Sequence, residues 1–180
     1  MRLRCESLLA HPVDSVFRTY RDRLQEAAVY VPGIKEVRLE DSEDTDVGVR
    51  LHNLWVSDSA IPDFAQRFLK EEHLSWDDYA NWFDEGRRCE WRLVVRAFPE
   101  AMRCIGTTRF LAGDTGGTRV VVAGELEFDL KKVRGVPNVM AGMIGPRLEK
   151  FLVARIQPNL ERTNQAIGEF LTAEAEKARQ

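Results

Sequence analysis

The chain has 180 residues, 44% hydrophobic and 31% charged, with a net charge of −3 at neutral pH. That length suits a single domain spanning 1–180 with a core of its own, and the composition excludes a disordered or fibrous chain. Charge is spread through both halves with no basic block, so nucleic acid is not an expected partner.

The opening MRLRCESLLAHP interleaves charged and apolar residues, which leaves no apolar run for a signal peptide or a membrane span. Residues 2–9 alternate Arg2, Arg4 and Glu6 with Leu3, Cys5, Ser7 and Leu9, the period of a half-buried strand. From Val13 to Ala28 the period changes: Val13, Val16, Phe17, Tyr20, Leu24 and Ala27 make a helical stripe, and Pro12 suits its first turn. Pro32-Gly33 ends it. Ile34–Glu43 and Val47–Ser57 then read as two strands around the acidic turn DSEDTD, with Val47, Val49, Leu51, Asn53 and Trp55 on one face.

In SDSAIPDFAQRFLKEEH the side chains of Ile61, Phe64, Phe68 and Leu69 fall on one side of a short insertion helix after the third strand. Such a face either caps the open end of the sheet or forms a lid, with the polar flanks Ser57-Asp58-Ser59 and Glu71-Glu72-His73 as hinges.

LSWDDYANWFDEGRRCEWRL, residues 74–93, holds three of the four tryptophans. It reads as a hairpin turning at Asp84-Glu85-Gly86-Arg87, followed by a second hairpin that joins Arg103–Leu111 to Thr118–Phe128 and brings the strand count to seven. A two-residue loop at Glu85-Gly86 pairs Trp82 with Cys89, Ala80 with Trp91, Asp78 with Leu93 and Trp76 with Val95. Trp76, Trp82 and Trp91 then share one inward face, either as core or as the wall of a cavity. Asp78 points inward among them, where a carboxylate needs a partner or a role. Arg109 and Asn53 are candidate partners, so the choice lies between a buried ion pair and a polar anchor for a ligand.

Past the basic run Lys131-Lys132-Val133-Arg134, which suits a solvated loop or contact with a phosphate or an anionic membrane surface, helical spacing holds from about Pro137 to Ala173. A helix of that extent runs roughly 50 Å against about 30 Å for nine-residue strands, so it must overhang or break, with Pro146 and Pro158 as the expected break or kink positions.

The opening strand ending in LLAHPVDSVF, the WRLVV strand, the RCIGTTRF and TRVVVAGELEF hairpin and the helix beginning near NVMAGMIGP together resemble the START-like helix-grip superfamily, the polyketide-cyclase and lipid-transfer (SRPBCC) class. The His-Pro turn and the small-residue entry Met140-Ala141-Gly142-Met143 also look like its PRELI-type branch. The resemblance covers nearly the whole chain and implies an α+β fold: a curved seven-stranded antiparallel sheet gripping a long C-terminal helix, with an apolar cavity between them. None of these stretches is a catalytic signature, and fold alone does not settle function.

The expected function is therefore binding, carriage or sensing of a hydrophobic small molecule or lipid. The ligand-lining set is Asn53, Trp55, Phe64, Phe68, Trp76, Asp78, Trp82, Trp91, Arg109, Met140, Met143 and Ile144. The alternatives are a cyclase-type enzyme using Asp78, His52, Arg109 or Tyr79, and a protein-binding adaptor with a filled core. His11, His52 and His73 have no metal-ligand spacing, and Cys5, Cys89 and Cys104 suggest neither a disulfide framework nor zinc, so no metal or cofactor is expected and a reducing cytoplasm is the simplest location.

Overall fold

The computed structural model describes residues 1–60, 73–114, 116–133 and 138–179. Strands β1 (Arg2–Leu9), β2 (Ile34–Thr45), β3 (Gly48–Ala60), β4 (His73–Phe83), β5 (Arg88–Val95), β6 (Met102–Ala112) and β7 (Thr118–Phe128) form one sheet in the order β1-β7-β6-β5-β4-β3-β2. Every neighbouring pair is antiparallel. Because β1 and β2 lie at opposite edges, the chain between them must cross the molecule, and it does so as α1 (Val13–Asp22), α2 (Leu24–Ala27) and a 3-10 turn at Ala28–Tyr30. The long helix α3 (Asn138–Lys177) packs on β1, β7, α1, α2 and that turn. The α+β helix-grip architecture implied by the resemblance is the one observed.

Three details differ from the sequence reading. The helical stripe over 13–28 is not one helix: Arg23 leaves helical geometry at φ −129°, and the chain restarts so that Leu24 and Ala27 are buried. The acidic segment DSEDTD is mostly strand, since β2 runs on to Thr45 and pairs it with Gly48, leaving Asp46-Val47 as the turn. Helix α3 continues through both Pro146 and Pro158 for 40 residues, so neither proline ends it. The expected insertion helix, with Phe64 and Phe68, lies outside the described residues, as does Arg134 of the basic run.

Helix α3 is fixed by Asn164, which is buried in its inner face. Its amide donates to the Ser7 hydroxyl at 2.8 Å, and its carbonyl accepts the hydroxyl of Tyr20, so one side chain ties α3 to both β1 and α1. Burial pushes the Tyr20 phenol well above its usual range, which keeps it a neutral donor. Replacing Asn164 with Leu strands both hydroxyls, and the variant is expected to lose about 2–3 kcal/mol in urea denaturation.

Candidate functional site

The hairpin register decides which side chains face α3. Residues Asp84–Arg87 make the turn, with left-handed backbone at Gly86 (φ 75°) and Arg87 (φ 41°), and the strands pair Trp82 with Cys89, Ala80 with Trp91, Asp78 with Leu93 and Trp76 with Val95. This is the register read from the sequence. Alternation then sends Trp76, Asp78, Ala80 and Trp82 of β4 and Cys89, Trp91, Leu93 and Val95 of β5 to the concave face. Asn53 and Trp55 of β3 join them, and Leu152, Ile156, Asn159, Leu160 and Thr163 of α3 close the opposite side.

Between these layers lies a cavity of about 130 Å³, and all four tryptophans line it. Each indole is held differently. Trp82 packs in an aromatic cluster with Phe17 (5.5 Å, edge to face) and Phe110 (5.9 Å, stacked), so it is core on one side and cavity wall on the other. Trp55 and Trp76 stack across β3 and β4 at 5.8 Å and 12°. Trp91 lies across Gly106 and Gly124, two directly paired glycines of β6 and β7, and its indole donates to the Thr108 hydroxyl at 3.1 Å.

The polar end of the cavity is Asn53 and Asp78, direct neighbours across β3 and β4. Asn53 Oδ1 and Asp78 Oδ1 are both buried without a hydrogen-bond partner among the described residues, as are the indole nitrogens of Trp55 and Trp82. Burial pushes the Asp78 carboxyl up to about 7, opposed in part by the Trp55 indole and by the charge of His52. The Trp55 N–H favours the ionised carboxylate by its orientation but completes no hydrogen bond of ordinary geometry. Cys89 also borders the cavity. Burial, and then the nearby Asp78 charge, drive its thiol well above the usual range, so it is not a thiolate nucleophile.

The other catalytic candidates lie elsewhere. His52 and Tyr79 stack on each other at 4.4 Å on the outer face of the sheet, where Arg92 covers the Tyr79 ring. His52 Nε2 lies 2.8 Å from Asp77, whose carboxylate also receives two hydrogen bonds from Arg96, and these hydrogen bonds, Arg96's above all, hold it below the usual carboxylate range. Arg109 is exposed on the outer face as well, opposite Arg88, because Thr108 and Phe110 on either side of it point inward. It cannot pair with Asp78. Met143 is 73% exposed on the outer side of α3, while the side chains of Met140 and Ile144 lie outside what is described.

The sequence reading missed Tyr20, Asn159 and Thr163 as cavity residues. A signal existed for two of them, since Asn159 and Thr163 are four residues apart beside Ile156 and Leu160 on the same helical stripe. Among the described residues no cluster of three or more potential metal ligands occurs, and no helix is long and apolar enough to cross a membrane.

No family model matches the sequence, and no curated protein sequence matches it. The fold, by contrast, has clear counterparts among solved structures. TTHA0849 from Thermus thermophilus is similar with a TM-score of 0.68 and 23% identity, over 97% of this chain and 99% of that one. The ZhuI aromatase/cyclase from Streptomyces sp. R1128 gives 0.68 and 17% over 100% and 96%. Major latex-like protein 151 from Panax ginseng gives 0.58 and 12% over 94% and 95%. The chain thus has the helix-grip fold, shared by aromatase/cyclases and major latex-like proteins. At these identities the likeness establishes the architecture.

Proposed function

We propose that this protein binds a small, largely apolar molecule in the cavity between sheet and helix, as a carrier or sensor. The observation that carries the reading is the unfilled volume itself, walled by four indoles and ending in polar atoms that no group among the described residues completes. A solid interior would have suited an adaptor instead. The size narrows the ligand: about 130 Å³ is close to the ~150 Å³ engineered apolar cavity that accepts one benzene, and below the ~300 Å³ where drug-sized pockets begin. One ring fits, whereas a two-tailed lipid needs a much larger opening.

Benzyl alcohol is a suitable neutral probe, and the protein's own tryptophan fluorescence reports on it because every indole borders the site. Leu160→Trp places a bulky side chain in the cavity from the helix side. This variant is expected to weaken benzyl alcohol at least tenfold while losing about 1–3 kcal/mol of stability to overpacking. Unaltered affinity in a folded Leu160→Trp protein overturns the assignment of the site.

One observation favours a second reading. Asp78 holds a carboxyl near 7 inside the cavity, where a group can give or take a proton at neutral pH, as a general acid or base in a cyclisation must. Turnover of a polyketide-like substrate that disappears in Asp78→Asn would establish it.

A further inference from the structure

We propose that Asn53 and Asp78 receive the protonated amine of a small ring-bearing ligand, an inference that rests on the cavity being a binding site. Three independent features converge on this chemistry.

The first is hydrogen-bonding capacity. The unpartnered oxygens of Asn53 and Asp78 are acceptors on directly opposed residues, and Asn53 is only 2% exposed. A single guest group that satisfies both must donate at least twice. A neutral hydroxyl donates once and a carboxylate not at all, whereas an ammonium carries three donors.

The second is charge. Of the described residues that line the cavity, only Asp78 carries a formal charge, and they include no Lys, Arg or His. The groups facing it from β5 and β6 are the neutral thiols of Cys89 and Cys104, while α1 and α3 contribute Tyr20, Asn159 and Thr163. His52, with Asp77 and Arg96, lies on the other side of the sheet. The site is therefore short of one positive charge, and a ligand cation supplies it.

The third is the aromatic wall. Trp55 and Trp76 sit two residues along their strands from Asn53 and Asp78 on the same concave face, and indole faces attract cations more strongly than other aromatic rings do. They also offer flat surface to the ligand ring.

The test compares benzylamine, benzyl alcohol and benzoate, which share a ring and differ in the head, by tryptophan fluorescence titration at pH 8. Benzylamine is expected to bind at least tenfold more tightly than benzyl alcohol, and benzoate more weakly than either. In Asp78→Asn the amine preference should collapse below threefold, and Asn53→Leu should lose part of it; melting curves establish that both variants are folded. Equal affinity for amine and alcohol, tightest binding of benzoate, or a preference undiminished in Asp78→Asn overturns the amine assignment while leaving the cavity as a binding site. If none of the three binds, both readings fall.

Discussion

Asp78→Asn is expected to make the protein much more stable at pH 8 and to change it little near pH 4. The carboxyl moves from an ordinary 3.8 to about 7 on folding because burial disfavours its charged form. Well below pH 3.8 it is protonated in both states and contributes nothing to the balance. As pH rises from 4 to 7, the unfolded chain ionises while the folded protein holds its proton, so stability falls throughout that window. Above 7 the full penalty is present, on the order of 4 kcal/mol from the size of the shift. An amide at this position carries no charge and can donate to the stranded Asn53 oxygen across the strand pair. For a chain of this length the gain corresponds to roughly 10 °C in melting temperature. Melts of both proteins at pH 4, 6 and 8 check it, and a gain that is the same at every pH, or a loss at pH 8, refutes the burial of this carboxyl. A charge that destabilises the empty protein is what a site completed by a ligand requires. The variant that gains stability is also the one expected to lose amine selectivity.

The concave face was legible in the sequence because strand alternation is strict and one glycine turn sets the register. With Gly86 at the turn, the four inward residues of each strand follow by counting, and Asp78 comes in with them. The same counting sends His52, Tyr79 and Arg109 outward, since each lies between two inward-facing residues; pairing Arg109 with Asp78 weighed charge and overlooked parity. The helix side was less legible. Which face of α3 meets the sheet depends on how Asn164 ties it to Ser7 and Tyr20, contacts more than 140 positions apart in the chain that no local pattern encodes. Local preference likewise does not foretell that the chain leaves helical geometry at Arg23 or stays helical through Pro146 and Pro158. The size of the cavity was not readable at all, because it is the small remainder between large side chains.

That remainder depends on a pair of glycines, and Gly106→Ala is expected to be the most damaging single-methyl change at the cavity floor. Trp91 is held flat across Gly106 and Gly124 by its bond to Thr108. A β-carbon at 106 would lie 2.3 Å from Trp91 Cζ2 and 2.5 Å from the Ala123 carbonyl oxygen, far inside the ~3.5 Å of ordinary contact. The indole can swing away only into the cavity, and the carbonyl belongs to the β6–β7 ladder and cannot move without breaking it. A loss of about 3 kcal/mol or more follows, with a melting temperature lower by roughly 10 °C. Adding Trp91→Leu should recover only part of this, because the carbonyl clash stays. As a control, Gly142→Ala on the exposed side of α3 meets nothing among the described residues within 4 Å and should gain about 0.5–1 kcal/mol from helix propensity. Thermal melts of the three variants separate the contributions. If Gly106→Ala is tolerated like Gly142→Ala, then Trp91 does not lie where the cavity needs it, and the floor of the binding site is not built from these glycines.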